Sequence, residues 1–180
     1  MTRSLKLTGQ LAALAVIAAL LSLLVWRLVH QTHAPKVGAA APVFTLHRLT
    51  GPGAIDLASL RGKAVVLNFW ASWCGPCKSE AAVLERAWQR DRPRGVAFVG
   101  IDFHDVTGDA RHFVSAHGLT FPMVQDGSGD ITSGRYGISQ VPETYVVGRN
   151  GKIVSHIAGP ITSPSFAAEF RDAVAAALRS

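Results

Sequence analysis

An α/β fold built on a mixed sheet is what this sequence predicts, and three stretches predict it. Ala64–Trp70 is a run fit for a buried strand, and it leads through Cys74-Gly75-Pro76-Cys77 into a helix. Val96–Ile101 is a second run apolar on both faces, as an interior parallel strand requires. Val141–Val147 carries Pro142 at its start, where a missing N–H is tolerated, and Asn150-Gly151 turns it back onto Lys152–Ala158 as an antiparallel neighbour.

The chain has 180 residues, room for one domain and an appendage. The appendage comes first. Leu11–Trp26 is apolar apart from Ser22, and with Leu5, Leu7, Leu28 and Val29 it approaches the ~20 residues that cross a bilayer. It has no polar face, and it exceeds the roughly 7–15 residues of a signal-peptide core. An uncleaved membrane anchor over residues 1–30 is the expectation, with cleavage near Gly38-Ala39-Ala40-Ala41 as the alternative. Arg3 and Lys6 on one side balance Arg27 and Lys36 on the other, so charge does not set the orientation. A short tail ahead of a large C-terminal domain favours export of that domain. Residues 31–42, with Pro35, Gly38 and three alanines, read as a linker, which leaves 43–180 for the folded domain.

Charge narrows the partners. Without Arg3, Lys6, Arg27 and Lys36, the 18 basic residues fall to 14, against 12 acidic ones that all lie in the domain. So small an excess does not point to nucleic acid.

Within the domain, Val43–Leu46 and Ala54–Leu57 flank Gly51-Pro52-Gly53 and predict a small hairpin ahead of the main fold. Ala58–Arg61 makes one helical turn that ends at Gly62. The helix after the cysteines is apolar at Cys77, Ala81, Leu84 and Trp88 and stops near Asp91-Arg92-Pro93. Asp109–His117 is a helix closed by Gly118, Pro122–Val124 a short strand, and Gly129–Tyr136 a short helix. Ser163–Leu178 closes the chain with Phe166, Phe170, Val174 and Leu178 on one face. The order predicts a sheet covered by helices on both sides.

Cys74 and Cys77 are the only cysteines. Two thiols separated by two residues on the first turn of a helix can close a disulfide without moving the backbone far. The helix N-terminus favours negative charge and pushes the first thiol toward thiolate, the form that attacks disulfides. That is thiol–disulfide exchange. Zinc needs about four ligands, and no second cysteine pair exists. Covalent haem attachment needs His after the second cysteine, where Lys78 stands. A purely structural bridge would add little, since so small a loop removes little entropy from the unfolded chain.

A strand, Trp73-Cys74-Gly75-Pro76-Cys77, a helix, then Val141-Pro142 before an antiparallel hairpin: this order resembles the thioredoxin superfamily from about Pro42 to the C-terminus. Asn68 to Glu80, reading N-F-W-A-S-W-C-G-P-C-K-S-E, is similar to the active-site line of the membrane-anchored, exported TlpA-like reductases. Tyr136-Gly137-Ile138, Val141–Tyr145 and Gly159–Thr162 look like the branch that serves cytochrome c maturation, although Gly75-Pro76 is the pair of ordinary thioredoxins. The resemblance implies a thioredoxin-like α/β/α sandwich in which Cys74 attacks and Cys77 resolves. It also implies a cis Val141–Pro142 bond facing Cys74, a Val141 backbone free to pair with an incoming peptide, and Trp73 on the substrate side. Exchange needs no cofactor and no metal. The partners implied are exported disulfide-containing proteins such as apocytochrome c, a membrane thiol–disulfide electron donor, and the lipid bilayer.

One departure from the superfamily pattern matters. The central strand usually carries a buried Asp, and Asn68 stands there, which cannot take a proton. Glu80, one helical turn after Cys77 at the rim of the apolar stripe, is the expected substitute as proton acceptor; the alternative is an exposed glutamate paired with a basic neighbour. Glu143, beside Pro142, is a second candidate, against a reading as a solvent-facing strand residue. Other functions stay open at this point: a broad-specificity exported reductase, an oxidant running the steps backwards, or a metal-binding or chaperone module. A peroxidase fits less well, because the related peroxiredoxins place Thr where Ala71 stands.

Overall fold

The computed structural model describes residues 2–29 and 34–180, and for the first helix the side chains of Gln10 and residues 13–26. The chain divides into two compact units, Met1–Thr32 and His33–Ser180. The first is one helix, α1 (Thr2–Val29), whose described large apolar side chains, Leu14 to Trp26, are all more than half exposed. Among the described residues, no helix is long and apolar enough to cross a membrane. The anchor expected over 1–30 also draws on Leu5, Leu7 and Leu28, whose side chains lie outside the described set.

The second unit begins with a hairpin, β1 (Thr45–His47) and β2 (Ala54–Asp56), paired antiparallel with Leu46 opposite Ile55. A 3-10 turn over Leu57–Leu60 follows, capped by the Asp56 carboxylate on the Ala58 amide. Then come β3 (Ala64–Trp70), α2 (Gly75–Asp91), β4 (Val96–Phe103), α3 (Thr107–Ala116), β5 (Met123–Asp126), a π-helical turn (Asp130–Arg135), β6 (Glu143–Val147), β7 (Ile153–Ala158) and α4 (Pro164–Ala177). The main sheet runs β5-β4-β3-β6-β7. β3 is parallel to β4 and antiparallel to β6, so it is the strand at which the sheet changes direction. All seven of its residues are buried, as a strand covered on both faces must be.

Alternation along β3 separates two cores. Val66 and Trp70 face Cys77, Ala81 and Leu84 of α2, Phe113 of α3, and Phe170 and Val174 of α4. Val65, Leu67 and Phe69 face Phe44, Ile55, Leu57, Ile131 and Tyr136. Helices cover the two faces unequally, the short helix expected over Gly129–Tyr136 being the π-helical segment on the second face. Every α-helix of the domain lies on one face, and the other is closed by the hairpin and two short turns. Phe44 and Tyr136 supply there the bulk that a helix would have brought, and Tyr136 packs its ring 5.0 Å from Phe69.

Both sheet edges are covered. Leu49 donates its amide to Met123 O (2.9 Å) along β5. Along β7, Gly38 donates to Ile153 O (2.8 Å), Ile153 to Ala39 O (2.9 Å) and Ala41 to Gly151 O (3.0 Å). Of the expected linker, residues 31–33 lie outside the described set, and residues 38–41 are part of the folded unit. An edge strand left bare would offer its amides to other chains; backbone pairing covers it without any side-chain signature. Elsewhere the boundaries differ by a few residues. α3 starts at Thr107 rather than Asp109, and its N-cap, Val106, makes no side-chain cap bond that would mark the start in the sequence.

Candidate active site

The site sits where β3 ends and α2 begins. Ala71-Ser72-Trp73 carry the chain out of the buried strand, and Cys74 becomes the N-cap of α2. Its sulfur accepts the Cys77 amide N–H at 3.1 Å, in the place a Ser or Asp oxygen takes in an ordinary cap. Pro76 in the first turn has no N–H to leave unsatisfied there. Cys74 and Cys77 are joined in a disulfide with Cα atoms 5.3 Å apart. Once reduced, a thiolate at Cys74 would keep the Cys77 N–H and the positive end of the helix dipole, both of which favour the charged form.

Both cysteines are buried, beside an exposed rim. Cys74 is 4% exposed and Cys77 2%, while Trp73 beside them is 60% exposed, and Gly75 and Pro76 are also exposed. The Val141–Pro142 bond is cis, and Val141 O lies 3.5 Å from Cys74 Sγ. Trp73 donates its indole N–H to His104 O at 3.2 Å, and His104 holds that carbonyl from a left-handed backbone with φ +48°.

Behind the disulfide lies Glu80, 1% exposed. Asn68 donates to its Oε1 at 2.9 Å and to Thr144 Oγ1 at 3.1 Å, and the Ile161 amide donates to its Oε2 at 3.0 Å. Burial pushes the Glu80 carboxyl up from 4.5 to about 7, and the bonds from Ile161 and Asn68 restrain the rise. A carboxyl that titrates near neutrality, one helical turn from Cys77, can accept a proton at working pH and give it back. The exposed, ion-paired reading of Glu80 is thereby excluded.

These features have counterparts in known proteins. Residues 37–156 match the AhpC/TSA family. A thiol-disulfide oxidoreductase ResA of Bacillus thuringiensis is 33% identical over 127 residues, 71% of this chain and 72% of that protein. The fold matches a candidate DsbE-type thiol:disulfide interchange protein of Chlorobium tepidum with a TM-score of 0.73 and 30% identity, over 81% of this chain and 99% of that one. It also matches a secreted Mycobacterium tuberculosis disulfide oxidoreductase homologous to E. coli DsbE, with a TM-score of 0.64 and 33% identity, over 74% and 95% of the two chains. The chain belongs to the AhpC/TSA family. With its C-x-x-C pair at the head of α2 it is a thiol–disulfide oxidoreductase of thioredoxin-like fold.

Of the expected site residues, Trp73, Gly75 and Pro76 adjoin the disulfide in sequence, Val141 O lies 3.5 Å from Cys74 Sγ ahead of cis Pro142, and Glu80 is buried one helical turn from Cys77. Glu143 does not join them. Its carboxylate is bonded to His156 Nε2, and strand alternation places it on the sheet face opposite Glu80, since Thr144, not Glu143, lies with Asn68. The sequence reading missed the loop after β4. Asp105 there accepts the Ser72 amide, the Ser72 hydroxyl (2.9 Å) and the Val106 amide (2.8 Å), which ties it to the loop that carries Cys74. A signal was present in Asp102, an acid at the end of an otherwise apolar interior strand.

Proposed function

We propose that the protein reduces disulfides in exported proteins, and that apocytochrome c, whose thiols must be free before haem is attached, is its substrate. The supporting observation is the neutral-range carboxyl of Glu80 held behind a disulfide that is reached past Val141 and Trp73.

In the reduced protein, the Cys74 thiolate attacks one sulfur of the substrate disulfide, and the other sulfur leaves as a thiolate that takes up a proton. A mixed disulfide now joins Cys74 to the substrate. Cys77 gives its proton to Glu80 and attacks the Cys74 sulfur, so the second substrate thiol departs and the Cys74–Cys77 bond closes. Two electrons have passed to the substrate. A membrane dithiol donor returns them by opening that bond again. Trp73, Gly75, Pro76 and Val141 line the approach, with the Val141 carbonyl available to an extended peptide beside Pro142. An N-terminal anchor over residues 1–30 would hold the domain, 43–180, at the outer surface of the cell membrane, where such substrates emerge.

Replacing Cys77 by Ser stops the second step, and trapping tests the reading. Cys77→Ser expressed in the cell is expected to accumulate as a mixed disulfide through Cys74 with an exported c-type apocytochrome. Recovery of many unrelated exported proteins instead would establish a broad-specificity reductase.

A further inference from the structure

The exchange steps leave three buried acids of the domain unused: Asp91, which pairs with Arg90 and Arg94, Asp126, which accepts from Ile131 and Thr132, and Asp102. Asp102 closes β4 beside Trp70, its register partner on β3, and is 0% exposed. Gln125 of β5 donates to its Oδ2 at 2.9 Å, and Thr107 at the start of α3 steadies that amide through Gln125 Oε1 at 2.8 Å. Asp102 Oδ1 has no partner among the described residues. A bare anionic oxygen in such surroundings is costly, whereas a protonated one becomes a donor in search of an acceptor. The acceptor at hand is Asp105, whose charge acts on Asp102 and whose backbone carbonyl accepts, at 3.4 Å, from the same Gln125 amide that donates to Asp102. Asp105 in turn grips Ser72 by its amide and its hydroxyl, two residues before Cys74.

We propose that Asp102 and Asp105 share a proton and together position the Ser72–Cys74 loop, Asp105 holding the loop directly and Asp102 acting through Asp105. With the proton in place, Asp102 donates to Asp105 and the two acids attract. Once it is lost, two carboxylates face each other, and Asp105, the half-buried partner on a loop, gives way and takes Ser72 with it. Burial, and then the Asp105 charge, push Asp102 up to about 8, so the change falls in the range where thiols also ionise. The groups acting on Asp102 are Gln125, the Phe103 amide and Asp105, of which Asp105 alone is charged. On the helices packed against the loop, the titratable groups are Lys78 of α2 and Asp109, His112 and His117 of α3, which line a groove with Ser72. The consequence for reactivity rests on Cys74 as the attacking sulfur; the carboxyl pair itself does not.

The test uses the full chain in detergent, oxidised so that no thiol titrates. The Ser72 amide resonance is followed by NMR between pH 6 and 10. A shift with its midpoint near 8 is expected, and Asp102→Asn, whose amide donates to Asp105 at every pH, is expected to abolish it while keeping the low-pH resonance position. Glu80→Gln, the control for the other buried acid raised toward neutrality, should leave the transition in place. An unmoved Ser72 amide in the unaltered chain, or the same transition in Asp102→Asn, overturns the proposal. Neither outcome depends on exchange activity, so failure here is separable from failure of the reductase reading.

Discussion

Glu80 and Asp102 are the two acids buried on the helix-covered face of the sheet with ionisation raised into the neutral range, and they are held in opposite ways. Both oxygens of Glu80 accept from neutral donors, Asn68 and the Ile161 amide. Asp102 has one oxygen on Gln125 and its other side turned toward a second acid. Burial is the leading cause in each case. What differs is the consequence of losing the proton. Glu80 can become an anion in place, since its donors stay put, and that suits a group that must take a proton and return it. Asp102 becomes an anion against another anion, and that suits a group whose charge is felt in the geometry around it. Burial sets where an acid titrates; its neighbours decide what the titration does.

The sharpest way to break this comparison is to make Glu80 uncharged. With Glu80→Gln, closure of the Cys74–Cys77 bond on a mixed disulfide should slow by about a hundredfold at pH 8, the usual loss when a general base is removed. The unaltered protein should speed up as pH rises through about 7, and the variant should lack that step. Single-turnover release of the substrate's second thiol measures both; equal rates would remove Glu80 from the reaction. The same variant changes stability with a defined sign. The folded protein binds the Glu80 proton more tightly than the unfolded chain, so the stability tied to the neutral carboxyl is complete below about pH 4.5 and is lost as pH rises through about 7. The shift corresponds to about 3 kcal/mol. Gln leaves one of two donors unpaired, at about 1 kcal/mol. The variant should therefore be about 2 kcal/mol more stable than the unaltered protein above pH 8 and about 1 kcal/mol less stable below pH 4.5. Urea unfolding at the two pH values reads the crossing.

A milder intervention leaves the acid and removes a donor. Asn68→Leu takes away the bond to Glu80 Oε1 and leaves Thr144 Oγ1 without that donor. A hydrogen bond to a charged group contributes about 1.5–3 kcal/mol, so the Glu80 midpoint should move upward by about one pH unit. The rate of disulfide closure at pH 7 should then fall about fivefold and recover at higher pH. A midpoint that stays at about 7 would show that burial alone sets it.

How much of this could be read from the chain depends on whether side chains or backbone carry the information. β3 was legible to the residue because Ala64–Trp70 has no polar interruption but Asn68. The Asn150-Gly151 turn was legible because its chemistry is local: Asn150 Oδ1 accepts the Lys152 amide. The pairing of residues 38–41 along β7 was not, since it is made by backbone groups of Gly38 and alanines that carry no pattern. Glu80 was legible as a candidate from its helical spacing. Its second support was not, because the donor is the backbone amide of Ile161, far along the chain. The grip of Asp105 on Ser72 joins two loops that the sheet brings together only after folding.

The smallest expected effect is at Glu143, and it tests the comparison from outside. This acid lies next to Pro142 in sequence, yet strand alternation turns it to the face opposite Glu80, where it meets His156, whose ring stacks 4.0 Å from Tyr145. Its charge, after burial, helps to push the Tyr145 hydroxyl upward, and nothing links it to the sulfurs among the contacts described. Glu143→Gln keeps the shape and removes the charge. Partly exposed ion pairs contribute about 0–1 kcal/mol, so the loss of stability should be of that order. The rate of disulfide closure should change by less than about twofold, and the step near pH 7 assigned to Glu80 should stay where it is. If that step moved instead, the two faces of β6 would be electrostatically coupled through the strand, and burial on one face could no longer be treated as setting the Glu80 titration by itself.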